Sequence, residues 1–309
     1  MTNMRALIGG SGSPRLVEAP VPEAGPRQVR IKVGAAGVNP FDLAVAAGKL
    51  AEYGLARPLD SYGLGFDAAG AVDQVGEGAP FQVGEAVIGL AARLELATKA
   101  QAEYVVLDAD AVARAPRNVS VEAASTLPLN SLTAWQALDA TGLRPGQTLL
   151  VTGAAGAVGG FLVELGVARG LRVVAAAGAA DEELVRGLGA EWFVPREEDL
   201  ATGVRRLVPG GADAVVDAAI TPQAALEAVR DGGTFIALSV GVAPVALRGT
   251  TVKTVFFRSD PAQLAEIVRF VEAGRVTPRV AATYPLEKAA DAHARQAAGG
   301  LRGRLVLVP

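Results

Sequence analysis

Three glycines at three-residue spacing, Gly153, Gly156 and Gly159, follow the apolar run Thr148–Thr152 and open a second apolar stretch. This order suits phosphate chemistry. Glycine tolerates positive φ, lets backbone N–H groups approach a pyrophosphate, and permits close packing of the following helix on the strand. That helix then offers the anion N–H groups and the positive end of its dipole. The spacing is GxxGxxG and not the more specific GxGxxG, so a tight glycine turn without a ligand is the alternative. The next strand ends Ala175-Ala176-Ala177-Gly178, without the acid that holds the ribose 2′-hydroxyl of NAD. Asp181, Glu182 and Glu183 follow and suit the first turn of a helix. Arg196, after a third strand, is placed either to clamp a 2′-phosphate or to pair in solvent with Glu197 and Glu198.

Composition closes other routes. The 309 residues include no cysteine and one histidine, His293, which removes disulfides, thiol catalysis, iron–sulfur clusters and Cys- or His-rich zinc sites. A net charge of -3 gives nothing to attract a polyanion, so no nucleic-acid partner is expected. The first residues lack a basic region followed by an apolar core, so no secretory leader is read and the cytoplasm is the expected compartment. Residues 145–163 carry no charge, but five glycines and a change from strand to helix pattern mark them as buried in protein, and no membrane partner is expected.

The elements that must hold these groups fall into two styles. Up to about residue 120, short apolar runs at 5–8, 29–33, 69–75, 86–89 and 103–107 are split by glycine and proline and read as strands of a β-rich domain. Residues 39–48 have helical spacing after Asn39-Pro40. From about residue 120 one strand and one helix alternate every 20 to 30 residues, the mark of βαβ units and a parallel sheet. Strands are expected at Thr148–Thr152, 172–176, 192–194, 214–217, 234–238 and 252–257, with helices at 159–169, 181–188, Leu200–Leu207 and 223–229. A helix at 260–273 and a closing strand at Arg304–Val308 follow, the latter returning to the first domain.

Five ordered segments resemble the medium-chain dehydrogenase/reductase superfamily in its zinc-independent quinone oxidoreductase (zeta-crystallin-like) branch. They are GVNPFD from Gly37, GFDAAGAVDQVGEG from Gly65, LPLNSLTAWQAL from Leu127, GAAGAVGG from Gly153 and the stretch AHARQAAGGLRGRLVLVP. The resemblance implies an α/β fold: a GroES-like β-rich catalytic domain from 1–121 and 260–309, and a doubly wound Rossmann domain over 122–259, with the active site in the cleft between them. It places Asn39 where zinc-dependent relatives carry a metal-binding cysteine, so no metal is expected. It also brings Asn39 and Asp42 near the nicotinamide, although Asp42 is equally suited to cap the helix after Asn39-Pro40.

The resemblance implies a cofactor-binding set of Thr133, Gly153, Ala155, Gly156, Ala157, Val158, Gly159, Gly178, Arg196, Asp217, Ser239 and Phe257. Two departures concern the cofactor. Gly178 and Asp181 stand where NADPH-preferring relatives have a serine and a basic residue, and Ala218-Ala219-Ile220 replaces a glycine pair after Asp217. NADPH is the expected cofactor, with NADH the alternative. With no metal or thiol, the cofactor must supply the reactivity. The expected reaction is hydride transfer to a quinone or an α,β-unsaturated carbonyl, with Tyr53 or water giving the proton. An enoyl reductase tailoring a biosynthetic intermediate and a low-turnover dinucleotide-binding protein are the alternatives. The resemblance further implies a homodimer joined along the 252–257 strand, whose Val255 and Phe256 suit burial.

Overall fold

The computed structural model describes residues 2–10 and 12–309 and forms two compact units. The first comprises 1–129, 258–273 and 278–309, the second 130–257 and 274–277. The first unit opens with β1 (Asn3–Gly9), β2 (Arg15–Pro20) and β3 (Gln28–Val38), then α1 (Pro40–Ala46) and β4 (Tyr62–Gly63). It continues through β5 (Asp67–Val75), β6 (Ala86–Leu90), β7 (Tyr104–Asp108), β8 (Val112–Arg114) and α2 (Val121–Ala124). Alternation sets the inner face. Val29, Ile31 and Val33 of β3 are buried with Val72, Val87, Val105 and Leu107, while Arg30 and Lys32 point the other way.

The chain enters the second unit within α3 (Pro128–Thr141). There β9 (Thr148–Thr152), α4 (Ala157–Ala168), β10 (Arg172–Ala177), α5 (Glu182–Gly187), β11 (Trp192–Pro195), α6 (Leu200–Leu207), β12 (Ala212–Asp217), α7 (Pro222–Ala228), β13 (Val229–Ala237) and β14 (Thr251–Thr254) follow. The strands form one six-stranded parallel sheet in the order β11-β10-β9-β12-β13-β14. All five residues of β9 are buried, as a central strand covered on both faces requires. Asp199 caps α6 by accepting the Thr202 N–H at 2.8 Å, which fixes where that helix starts.

The chain then returns through α8 (Pro261–Glu272), β15 (Val280–Pro285), α9 (Ala289–Ala297) and β16 (Arg304–Val308). β16 lies between β15 and β3 in the larger sheet of the first unit, ordered β15-β16-β3-β5-β6-β8 with β7 also paired to β3.

The structure departs from the sequence expectations at several edges. The strand expected over 252–257 ends at Thr254; beyond it Val255 still donates to Ala237 O at 2.9 Å, but Phe256 and Phe257 leave the ladder. The helix expected over 223–229 stops at Ala228, and β13 begins at once at Val229, several residues before 234. α2 and the first two residues of α3 group with the first unit. Part of the cause is the Leu129 N–H, which donates to the Asp67 carboxylate at 2.6 Å. Among the described residues no helix is long and apolar enough to cross a membrane.

Candidate functional site

In the second unit the expected cofactor residues gather along one edge. Gly153 follows β9, Gly178 follows β10, Arg196 follows β11 and Asp217 ends β12. Ser239 lies two residues past β13 and Phe257 three past β14, stacked on Phe256 at 4.6 Å. Thr133 is buried within α3. In an open parallel sheet ligands bind outside the carboxyl ends of the strands, where the strand order reverses. Here that point lies between β9 and β12.

The glycines of the turn do different work. Gly153 has φ +61, and a Cβ there would come within 3.2 Å of the Ala218 carbonyl carbon. A Cβ on Gly159 would sit 2.1 Å from Gly153 O, so this glycine lets α4 press against the turn. Gly156 has an ordinary φ of -71, and its added Cβ would meet only Gly153 O, at 3.1 Å. A side chain at Gly156 would therefore meet almost none of the chain, at the residue that caps the N-terminus of α4. Ala157 and Val158 begin α4 half-buried beside it, and Ala155 is buried beneath. This turn fits the pyrophosphate of a dinucleotide.

At the end of β10, Asp181 Oδ2 lies 3.2 Å and the Arg196 guanidinium carbon 3.6 Å from where a Gly178 Cβ would be, so an acid and a base both border the glycine. The Arg196 side chain is 75% exposed, with Nε 3.3 Å from Glu197 Oε1. The neighbouring acids are partly engaged: Asp181 is buried, Glu182 pairs with Arg186 at 2.8 Å, and Glu198 pairs with Arg206 at 2.5 Å.

The first unit holds a buried polar cluster. Asn39 caps α1, and Asp42 Oδ2 takes the Asn39 N–H at 2.8 Å while Oδ1 takes the Gly65 N–H at 2.9 Å. The Asn39 amide donates to Asp67 Oδ2 at 2.6 Å. Asn39, Asp42 and Asp67 are fully buried. Tyr53 stands outside this group, 45% exposed on the turn after α1.

His293 and residues that the sequence did not single out, Lys99, Gln101 and Arg304, complete the cluster. Lys99 is buried with Nζ 3.2 Å from the centroid of the Phe66 ring and no hydrogen-bond partner. Burial pulls its pKa down to about 7 against the attraction of Asp42 and Asp67. Burial likewise pushes Asp67 up to about 6, and Asp42 upward against the pull of His293, Asn39, Lys99 and Gly65. Arg304 reaches Val38 O at 3.2 Å. Gln101 donates to Gly37 O at 3.2 Å, which turns its amide oxygen to His293 Nε2 at 3.1 Å. That orientation puts the histidine proton on Nε2, and burial holds its pKa below the usual value.

Comparison with known proteins shows the family. Residues 25–117 match the alcohol dehydrogenase GroES-like domain, and 188–307 match the zinc-binding dehydrogenase model. The NADPH-dependent alkenal/one oxidoreductase of Arabidopsis thaliana, a chloroplastic protein, is 30% identical over 94% of this chain and 74% of its own length. The human quinone oxidoreductase is 27% identical, covering 94% of this chain and 92% of its own. A crystal structure of an NAD-dependent alcohol dehydrogenase superposes with a TM-score of 0.87 and 32% identity, over 99% of this chain and 100% of that one. With a GroES-like unit formed from both ends of the sequence and a Rossmann-type sheet carrying the glycine turn, the chain belongs to the medium-chain dehydrogenase/reductase superfamily, in its quinone oxidoreductase-like branch.

Proposed function

We propose that the protein is an NADPH-dependent, zinc-independent oxidoreductase that reduces a quinone or an α,β-unsaturated carbonyl. The observation that carries this reading is the glycine turn at the reversal point of the parallel sheet, with Gly156 open above it. The bound nicotinamide supplies the hydride. The chain's own groups bind and orient. The N–H groups of the turn and the start of α4 hold the pyrophosphate, and Arg196 beside Gly178 meets the 2′-phosphate. In the other unit, Asn39 is held rigid by Asp42 and Asp67. The zinc-independent reading is supported by a chain with no cysteine and a single, buried histidine.

Preference for NADPH follows from charge. Gly178 itself offers no acid to the ribose; Asp181 Oδ2 lies 3.2 Å from where its Cβ would be, on a buried side chain, while the exposed Arg196 guanidinium, with its carbon at 3.6 Å, is the group able to bond a phosphate. Such a bond is worth about 1.5 to 3 kcal/mol, roughly a tenfold to hundredfold preference. The related proteins differ here, one being named for NADPH and another for NAD.

The test is oxidation of NADPH and NADH against a panel of quinones, enals, enones and enoyl thioesters, for wild type and Arg196→Ala. The reading expects turnover with quinones or enones, a higher kcat/KM with NADPH, and loss of that preference in the variant with NADH kinetics spared. Binding without turnover across the panel would replace it with a dinucleotide-binding, non-catalytic role. Turnover confined to enoyl thioesters would point to a biosynthetic enoyl reductase.

We also propose that the protein is a homodimer. β14 is an edge strand of its sheet, and the segment around it exposes Val240, Val245, Leu247 and Phe256. An open edge beside apolar side chains suits pairing with a second copy across a two-fold axis.

A further inference from the structure

Two fully buried carboxylates of the first unit, Asp42 and Asp67, take an N–H on every oxygen. Asp42 accepts from the Asn39 and Gly65 backbones at 2.8 and 2.9 Å, and Asp67 accepts from the Leu129 backbone and the Asn39 side-chain amide, both at 2.6 Å. A site lined by donors suits ionised acids. Burial works against their charge, so cations nearby must offset it.

The charged groups facing these acids come from three elements. Arg304 of β16 is attracted to both, and although burial lowers its pKa to about 10 it is charged throughout the neutral range. His293 of α9 faces Asp42, but its Nε2 lies 3.1 Å from Gln101 Oε1, its Nδ1 has no hydrogen-bond partner, and burial keeps the ring neutral near pH 7. One cation among these groups leaves one negative charge unmatched. Lys99, in the loop between β6 and β7, supplies the second cation. Its Nζ is buried 3.2 Å from the centroid of the Phe66 ring, has no hydrogen-bond partner, and is drawn to both carboxylates. Phe66 itself stands in the chain between Gly65, which bonds Asp42, and Asp67. An ammonium seated on that ring without a direct bond acts through its charge.

We propose that Lys99 is a positioning residue for Asn39: its ammonium form is the counter-ion that keeps Asp42 and Asp67 ionised, and ionised Asp67 fixes which way the Asn39 amide points. The inference deepens the reductase reading above and rests on it for the place of Asn39 beside the nicotinamide. A proton on Asp67 would set an O–H against the amide N–H that now bonds it, and the amide would turn or let go. Lys99 takes up its proton at about pH 7 and Asp67 at about 6, so the counter-ion is in place before the carboxylate titrates.

The experiment compares wild type with Lys99→Met, and with Lys99→Gln as a second uncharged side chain, each isotope-labelled at asparagine alone for NMR. The chain has four asparagines, which makes the Asn39 side-chain amide signals assignable. Their acid midpoint should lie at about pH 6 in wild type and about one pH unit higher in both variants. With NADPH and a quinone or enone, kcat of the variants should be about fivefold below wild type at about pH 6, the gap closing towards about pH 9, with KM for the dinucleotide unchanged. A structural role alone would lower kcat equally at every pH. That result, or an Asn39 midpoint unmoved in the variants, would overturn the inference. A wild type without turnover whose midpoint still moves in the variants would uphold the hold of Lys99 on Asn39 and overturn the reductase reading instead.

Discussion

Single residues divide the labour of the glycine turn in a way that substitution can separate. Gly159→Ala drives a methyl group into Gly153 O and is expected to cost about 1–3 kcal/mol, read as a lower denaturation midpoint. Gly156→Val meets only one carbonyl at 3.1 Å, so the variant should fold yet show no binding at dinucleotide concentrations that saturate the wild type. Unchanged affinity in folded Gly156→Val would remove the turn from the site. Lys99 offers a second test. Its folded pKa of about 7 lies below the ordinary lysine value, so the unfolded chain binds more protons between the two. This group therefore adds stability as pH rises from about 7 towards 10 and withdraws it as pH falls back through 7. Relative to Lys99→Met, wild-type stability should climb by up to about 1.4 kcal/mol per pH unit over that range. A flat difference would mean the ammonium group is not desolvated. The glycines were legible because their spacing is local. Lys99 was not, because a lysine between Thr98 and Ala100 reads as surface, and the groups that surround it, Phe66, Asp42 and Asp67, come from distant segments.

At the scale of elements, periodicity carried the reading further than it carried boundaries. β9, α6 and β16 occur where the apolar pattern places them, since each is bounded by turn or capping residues such as Asp199. The end of β14 was misread because Val255, Phe256 and Phe257 have strand-like side chains, while only the Val255 N–H keeps a bond to β13. The early start of β13 was hidden by Asp231-Gly232-Gly233, which reads as a turn and yet lies within the strand. The left-handed Ile220 had no sequence signal, as isoleucine is among the residues least suited to that conformation. β14 itself carries a prediction. Sedimentation at micromolar concentration should give twice the 31.4 kDa chain mass. Val245→Asp and Leu247→Asp together should shift it towards the monomer, because both side chains are exposed in one chain and would be desolvated between two. A wild-type monomer would refute the edge pairing.

For the whole molecule, the two units draw on the sequence differently. The Rossmann-type unit is one nearly continuous stretch, whereas the GroES-like unit takes its β15 and β16 from the far side of it. Leu305, Val306 and Leu307 of β16 are fully buried, so Leu307→Ala is expected to cost about 2–5 kcal/mol, measured by denaturant unfolding. A cost near zero would mean that β16 is dispensable to the sheet. The pairing of Leu305 with Val38 also has a consequence for synthesis. Arg304 and Val38 lie 266 residues apart. At about 5–20 residues per second a ribosome takes roughly 10–50 s to make the intervening chain. Throughout that interval the backbone of residues 36–38, which leads into Asn39, waits as an open strand edge on the nascent polypeptide. The glycine turn, whose strand and helix are neighbours in sequence, can form during translation, whereas the Asn39 cluster is completed only after β16 clears the exit tunnel. Folding of the GroES-like unit thus waits for β16, and a chaperone that shields strand edges should raise its yield more than it raises that of the Rossmann-type unit.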